Sequence, residues 1–280
     1  MKKKEAARRR LVRGVIQLIF FLAAPALFTT AFSGIKYLFT QIGSGELLEM
    51  VSFLKVLALL SLFTVLFGRY FCGFACAFGS LGDLMFTLGK WLQKKTKKKF
   101  PVIPEKWVMR LMWVKYILLA AISILCLLGI YGRLSGTSPW DVFSMLTALR
   151  LPGVEYAVGV LLLILILVGM LLEERFFCKF LCPMGAFFAL LPILPVSSLR
   201  RDRENCIPKC TLCKRKCPAR ISIDGDSARS GECIQCNQCM DLCPKGNIHG
   251  GWGKLKGNEM LLAAAKGMLL LGLCMLLGVI

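Results

Sequence analysis

The chain has 280 residues, 56% of them hydrophobic, and a formal charge of +20. That pairing excludes an ordinary soluble globule and fits a membrane protein with basic loops better than a nucleic-acid binder. A single histidine, His249, excludes a haem held between helices by a histidine pair.

The basic start MKKKEAARRR precedes an apolar run from Leu11 to Phe32. This run is long enough to span a bilayer, which takes about 20 residues. A secretory signal is the rival, but the apolar run is too long for one and no clear A-x-A site follows it, so it reads as an uncleaved first helix. Residues 33–50 read as a short loop. A second span is expected over Val51–Gly68, followed by a cysteine pair and a partly amphipathic piece to Leu92. The lysine-rich run before Pro101 and Pro104 reads as a solvated loop. The third span is expected at Trp107–Tyr131, with Arg110 and Lys115 free to snorkel to the interface. Ser138, Pro139 and Asp141 predict a helix start. The fourth span is expected at Glu155–Leu172, with a second cysteine pair behind it, and a fifth at Met260–Ile280.

Lys and Arg concentrate on one side. Segments 1–13, 69–110 and 174–258 hold 30 of the 36, against three in the intervening loops. This bias places the N-terminus and the 199–257 segment in the cytoplasm and the C-terminus outside. Contact with anionic lipid accounts for the charge without a nucleic-acid partner.

Between the fourth and fifth spans lie Cys206, Cys210, Cys213 and Cys217-Pro218, then Cys233, Cys236, Cys239 and Cys243-Pro244. Two such runs, each closed by Cys-Pro, are the ligand rhythm of a bacterial-type ferredoxin with two [4Fe–4S] clusters. The fourth cysteine of each run serves the other cluster. The expected sets are therefore Cys206, Cys210, Cys213 and Cys243, and Cys233, Cys236, Cys239 and Cys217. The gap between Cys206 and Cys210 is one residue wider than the pattern. Structural zinc and disulfides are the alternatives, but zinc sites lack paired Cys-Pro endings and disulfides need an oxidising compartment.

The segment Arg69–Gly79 recurs at Arg175–Gly185, an offset of 106 residues with Arg, Phe, Cys, Phe, Cys and Gly unchanged. Each copy closes a unit of span, loop and span, and such repeats commonly place a site at their interface. On a helix Cys72 and Cys76 would share a face, as would Cys178 and Cys182. Two facing copies would then offer four thiols, which suit an iron–sulfur centre, zinc or copper. Arg69 and Arg175 read either as groups that favour the thiolate or as plain flanking charges. Cys126 and Cys274 read as core, and His249 as a surface residue.

FCGFACAFG, FCKFLCPMG and the double cysteine run resemble the membrane polyferredoxins of the NapH, NosR and CcoG type, over about residues 10–250. The resemblance implies clusters on the cytoplasmic side of a bacterial inner membrane. It also implies electron transfer with quinol or with a partner carrying flavin, haem or iron–sulfur. It carries over the eight ferredoxin cysteines as ligands and Cys72, Cys76, Cys178 and Cys182 as motif cysteines. The chain departs from that pattern at Ala77, where the second copy has Pro183, in the wider first gap, and in its fifth span.

The fold expected is an all-α multi-span membrane domain, a four-span core of two repeats plus a fifth span. An α+β ferredoxin domain is inserted in it. The boundaries expected are 1–198, 199–257 and 258–280. The function expected is membrane iron–sulfur electron transfer. The alternatives are copper handling or copper reduction at the repeat cysteines and redox sensing. No hydrolytic or group-transfer constellation is visible.

Overall fold

A computed structural model describes all residues except 1, 99, 102, 135, 195–197, 203, 208, 222–229, 253–254 and 280. The chain is mostly helical. It begins with α1 (Lys2–Ala23) and α2 (Leu27–Ser44), which meet at 64°. Pro25 lies at the bend; it has no N–H to donate and its ring disfavours a continuing helix. The expected straight span over Leu11–Phe32 is therefore broken in its middle, and the expected loop at 33–50 is largely helix.

Next comes α3 (Ser52–Phe67). Its 16 residues reach about 24 Å, short of the roughly 30 Å hydrocarbon core. The second expected span is thus an apolar helix below full spanning length. It packs on α2, whose Gly34 leaves room for the Phe53 carbonyl; a Cβ there would sit 2.5 Å from that oxygen. Then follow a π-helical turn (Phe71–Ala75) and the amphipathic α4 (Ala77–Thr96).

The stretch Glu105–Leu127, built from α5 (Glu105–Leu111) and α6 (Val114–Leu127), is long and apolar enough to cross a membrane. So are Val154–Leu172, which contains α8, and Glu259–Leu276, which is α13. Between the first two lies α7 (Pro139–Thr147), whose first turn is capped by Ser138 accepting from the Asp141 N–H. α8 (Ala157–Leu172) leads through α9 (Phe176–Phe180) into α10 (Pro183–Leu190).

A small antiparallel sheet brackets the cysteine runs. β1 (Ser198–Arg201) precedes them, and β2 (Ile248–Trp252) and β3 (Leu255–Lys256) follow. Arg200 lies opposite His249 and Arg201 opposite Ile248. His249 is half-buried in this ladder rather than free on the surface. The runs carry two short helices, α11 (Leu212–Arg215) and α12 (Gln238–Leu242). Leu199, Met240 and Ile248 form a small core with Cys233 and Cys239.

That segment is docked onto the helices. Ile234 joins the main core with Phe71, Phe74 and Phe188. Gly73 approaches the Ile234 carbonyl so closely that a Cβ would sit 2.2 Å from it. At the other end of the loop Gly231 is equally close to the Ala189 carbonyl, at 2.1 Å. Arg9, near the N-terminus, donates to Asp241 at 2.6 Å.

Candidate metal centres

The sheet and the flanking turns bring the two ends of the cysteine segment together. The Asp202 N–H donates to the Asn247 carbonyl at 3.0 Å, and the Asn247 side-chain amide donates to the Asn205 carbonyl. Cys206, Cys210, Cys213 and Cys243 thereby line one cleft with Arg201, Leu212 and Asn247. Two N–H groups point at sulfur: Arg201 Nε to Cys206 Sγ at 3.2 Å and the Asn247 N–H to Cys243 Sγ at 3.3 Å. Such bonds spread the negative charge of a thiolate and tune any iron it holds.

Cys217 sits with the second run. Burial pushes the Cys239 thiol well up, and Cys236, Cys233, Cys217 and Cys213 add to it. Burial, then Cys236, pushes Cys217 up to about 11. Left-handed backbone at Gln235 and Asn237 curls this loop, so that the Gln238 N–H reaches the Cys236 thiol. Such curled backbone makes a nest of N–H groups suited to an anionic centre.

The four repeat cysteines converge elsewhere. Cys182 is pushed up by burial and then by Cys178, Cys72 and Cys76, and Cys76 by burial, Cys178 and Cys72. The helical i, i+4 geometry expected for each pair is not what holds them. Cys72 lies in the π-helical turn and Cys178 in α9, but Cys76 and Cys182 are extended residues that cap α4 and α10. Cys182 Sγ accepts the Gly185 N–H at 3.2 Å, whereas Cys76 caps α4 without a side-chain bond. In the second copy Cys-x2-Gly is thus a helix cap with sulfur as the acceptor. A helix N-terminus favours the anionic form of such a thiol.

The arginines are not flanking charges. Arg69 and Arg175 are 1% and 2% exposed, and each acts electrostatically on the first cysteine of its own copy, Cys72 and Cys178. Each then crosses to the other copy. Arg175 donates to the Cys72 carbonyl at 2.6 Å and the Gly73 carbonyl at 3.2 Å. Its guanidinium lies on Gly79, where a Cβ would be 2.3 Å from Nη1. Arg69 lies on Gly185, where a Cβ would be 3.1 Å from Nη2. The conserved spacing within the two copies therefore lets each arginine pack on the other copy's glycine.

Both cations have acidic partners that the sequence reading missed. Arg175 forks onto Asp83 at 2.7 and 2.6 Å, where Arg13 and Gln17 also donate. Asp83 is the lone acid between Glu49 and Glu105, which is a signal in itself. Burial pushes its carboxyl up, but Arg175 and Arg13 outweigh this and hold it below the usual range. Arg69 donates to Glu232 at 3.1 Å and to the Gly231 carbonyl at 3.1 Å. Glu232 also takes Lys115 at 2.5 Å and Tyr116 at 2.6 Å. Lys115, expected to snorkel, is 1% exposed and ion-paired inside the protein.

These contacts join the two thiol regions. Glu232 precedes Cys233, and Arg175 acts electrostatically on both Cys178 and Cys236. A basic hinge of two guanidiniums thus lies between the repeat cysteines and the Cys233–Cys239 loop.

The residues fit iron–sulfur centres. Among the described residues no three His, Cys, Asp or Glu side chains converge tightly enough for a single ion. A tetrahedral ion holds sulfurs at about 2.3 Å each, whereas a cube presents its irons to a wider circle of thiols. Each of the three groups supplies four cysteines, and N–H groups or guanidiniums are at hand to offset thiolate charge.

A family model described as a 4Fe-4S binding domain matches residues 50–99 and 156–198, the stretches that carry Cys72, Cys76, Cys178 and Cys182. An uncharacterised protein of Methanocaldococcus jannaschii is 30% identical over 239 residues, covering 85% of this chain and 86% of that one. The ferredoxin-type protein NapH of Escherichia coli K12 is 26% identical over 218 residues, 72% of this chain and 69% of NapH. The methylamine utilization ferredoxin-type protein MauN of Methylobacillus flagellatus is 24% identical over 253 residues, 90% and 73% of the two chains. No solved structure matches. With a doubled cysteine motif, a family model lying on both of its copies and relatives matched over most of their length, the chain belongs to the membrane polyferredoxins.

Proposed function

We propose that this chain is a membrane electron-transfer protein with three iron–sulfur sites. Cys206, Cys210, Cys213 and Cys243 hold the first, and Cys217, Cys233, Cys236 and Cys239 the second. Cys72, Cys76, Cys178 and Cys182 hold the third, between the repeats. Bound clusters supply one-electron carriers of tunable potential. The chain's own residues position them. Arg69 and Arg175 fix the repeat thiols against the Cys233–Cys239 loop, and Arg201 and Asn247 steady the outer thiols.

The observation that carries the reading is the convergence of the four repeat thiols, three buried and Cys178 partly so, beside two guanidiniums, on the stretches matched by the 4Fe-4S family model. Arg9 paired to Asp241 supports an N-terminus on the same side as residues 199–257. α13 leaves that side at Glu259 and runs about 27 Å, which supports a C-terminus on the far side. Electrons would pass between a redox partner at the 199–257 face and a membrane or outer acceptor. The quinone pool and a flavin, haem or iron–sulfur protein are the fitting chemistries.

The test is iron and acid-labile sulfide per chain on protein purified without oxygen. About twelve irons, falling to about eight in Cys72→Ser/Cys178→Ser, are expected. About eight in both would remove the third site and leave the repeat thiols to another role, copper among them. Stoichiometric zinc instead would overturn the whole assignment.

A further inference from the structure

Beside Cys217 lies an open cleft of about 430 Å³, walled by the end of α4, Phe100, the end of α8, α9 and the stretch after α11. Its apolar lining residues are Phe86, Phe100, Leu172 and Pro218, and the buried Lys179–Glu173 pair also lines it. Its rim is cationic: Lys90, Arg215 and Lys216 are exposed, and Arg220 is half-buried. The cleft has two carboxylates, and both are engaged. Glu173 is bound by Lys179 at 2.6 Å, and Glu174 accepts from Gln238 at 2.7 Å. Among the described residues, Lys90, Arg215 and Lys216 have no carboxylate partner. The charge does not stop at the rim, since Lys94 and Lys95 continue it along α4. Lys90 and Lys95 stand over the rings of Phe86 and Trp91, at 4.2 and 5.2 Å.

We infer that this cleft is the docking surface of an acidic electron-carrier protein, which exchanges electrons with the chain at Cys217. The inference rests on the reading that Cys217 serves an iron–sulfur site. Three features choose a protein over a small anion. The basic arc is longer than one small ligand, the cleft is open, and its aromatic and apolar side chains interleaved with cations have the composition of a protein interface. Complementary charge speeds the encounter and orients it, which is what a transient redox complex needs. The exchange is a one-electron transfer: for each electron the carrier loses, the chain gains one, and no bond or proton changes place. The carrier, a flavodoxin- or ferredoxin-like protein of strongly negative charge, is the co-reactant.

The experiment measures binding of a purified acidic flavodoxin to the full chain in phosphatidylcholine nanodiscs at two salt concentrations, with iron content recorded alongside. Expected is binding that weakens about ten-fold on raising salt. It should weaken about as much in Lys90→Glu/Arg215→Glu/Lys216→Glu, with iron content unchanged. Lys245→Glu, beside the other cysteine set, should bind as the parent does. Loss in Lys245→Glu with the triple variant unaffected would move docking to the other set and overturn the inference. Loss of binding to anionic vesicles alone, with flavodoxin binding intact in the triple variant, would make the arc a lipid-facing surface and also overturn it. Cleft-dependent flavodoxin binding by a chain that carries no iron would support the surface while removing the reading beneath it.

Discussion

Arg175 of the second repeat donates to the backbone carbonyl of Cys72 in the first at 2.6 Å, and its guanidinium rests on Gly79. A methyl group at position 79 would meet Nη1 at 2.3 Å, whereas one at 185 would meet Arg69 Nη2 at 3.1 Å. Gly79→Ala should therefore lower thermal stability by about 1–3 kcal/mol, the usual range for overpacking, and Gly185→Ala by less. Melting curves of the two variants in the same detergent check the order. Equal melting points would mean that the guanidinium yields freely.

Asp83 receives the buried Arg175 and the partly buried Arg13. Asp83→Asn should cost about 3–5 kcal/mol, because it leaves a buried guanidinium without its counter-charge. The carboxyl is held below its ordinary 3.8 by the arginines, which outweigh burial. Its contribution is thus present above that value and lost as pH falls through the lowered native one. The parent should lose stability on acidification below the ordinary value, and the variant should lack that component. A melting series across acid pH reads both.

Glu232 faces two cations, Arg69 and Lys115, and the Tyr116 hydroxyl. Removing the acid strands two buried charges, whereas removing Lys115 leaves Glu232 still paired with Arg69. Glu232→Gln should consequently destabilise more than Lys115→Met, by about 3–5 kcal/mol against a smaller loss. It should also loosen the 231–236 loop. Hydrogen exchange at that loop is the check, and greater opening in Lys115→Met would reverse the assignment.

Arg201 Nε donates to Cys206 Sγ at 3.2 Å. Hydrogen bonds to ligand sulfur stabilise the more reduced, more negative centre. In Arg201→Met the cluster site proposed at Cys206 should become harder to reduce, with its midpoint shifted to more negative potential and iron content retained. Redox titration followed by electron paramagnetic resonance measures it.

Much of this arrangement was legible in local spacing. The cysteine rhythms, the 106-residue repeat, the Ser138 cap and the apolar stretches at 105–127, 154–172 and 259–276 all show within a few turns of chain. What hid was long-range or depended on one residue. The bend between α1 and α2 was marked by Pro25, which a search for a continuous apolar run passes over. Lys115 looked like a snorkelling charge because its partner, Glu232, lies 117 residues away. The capping cysteines Cys76 and Cys182 hid for another reason: an i, i+4 pair suggests one helix face, yet here a helix begins at the second cysteine.

The crossing of Arg69 and Arg175 has a consequence for how such a duplication can change. Each half now carries a cation whose acceptors lie outside it, so neither is a self-sufficient unit. Expressed apart, each would present a buried arginine to an empty groove. Mixed again, the halves should find each other, because what each lacks the other holds. A gene cut between the copies would give two chains obliged to associate, and drift in one copy's glycine would have to wait for the other copy's arginine.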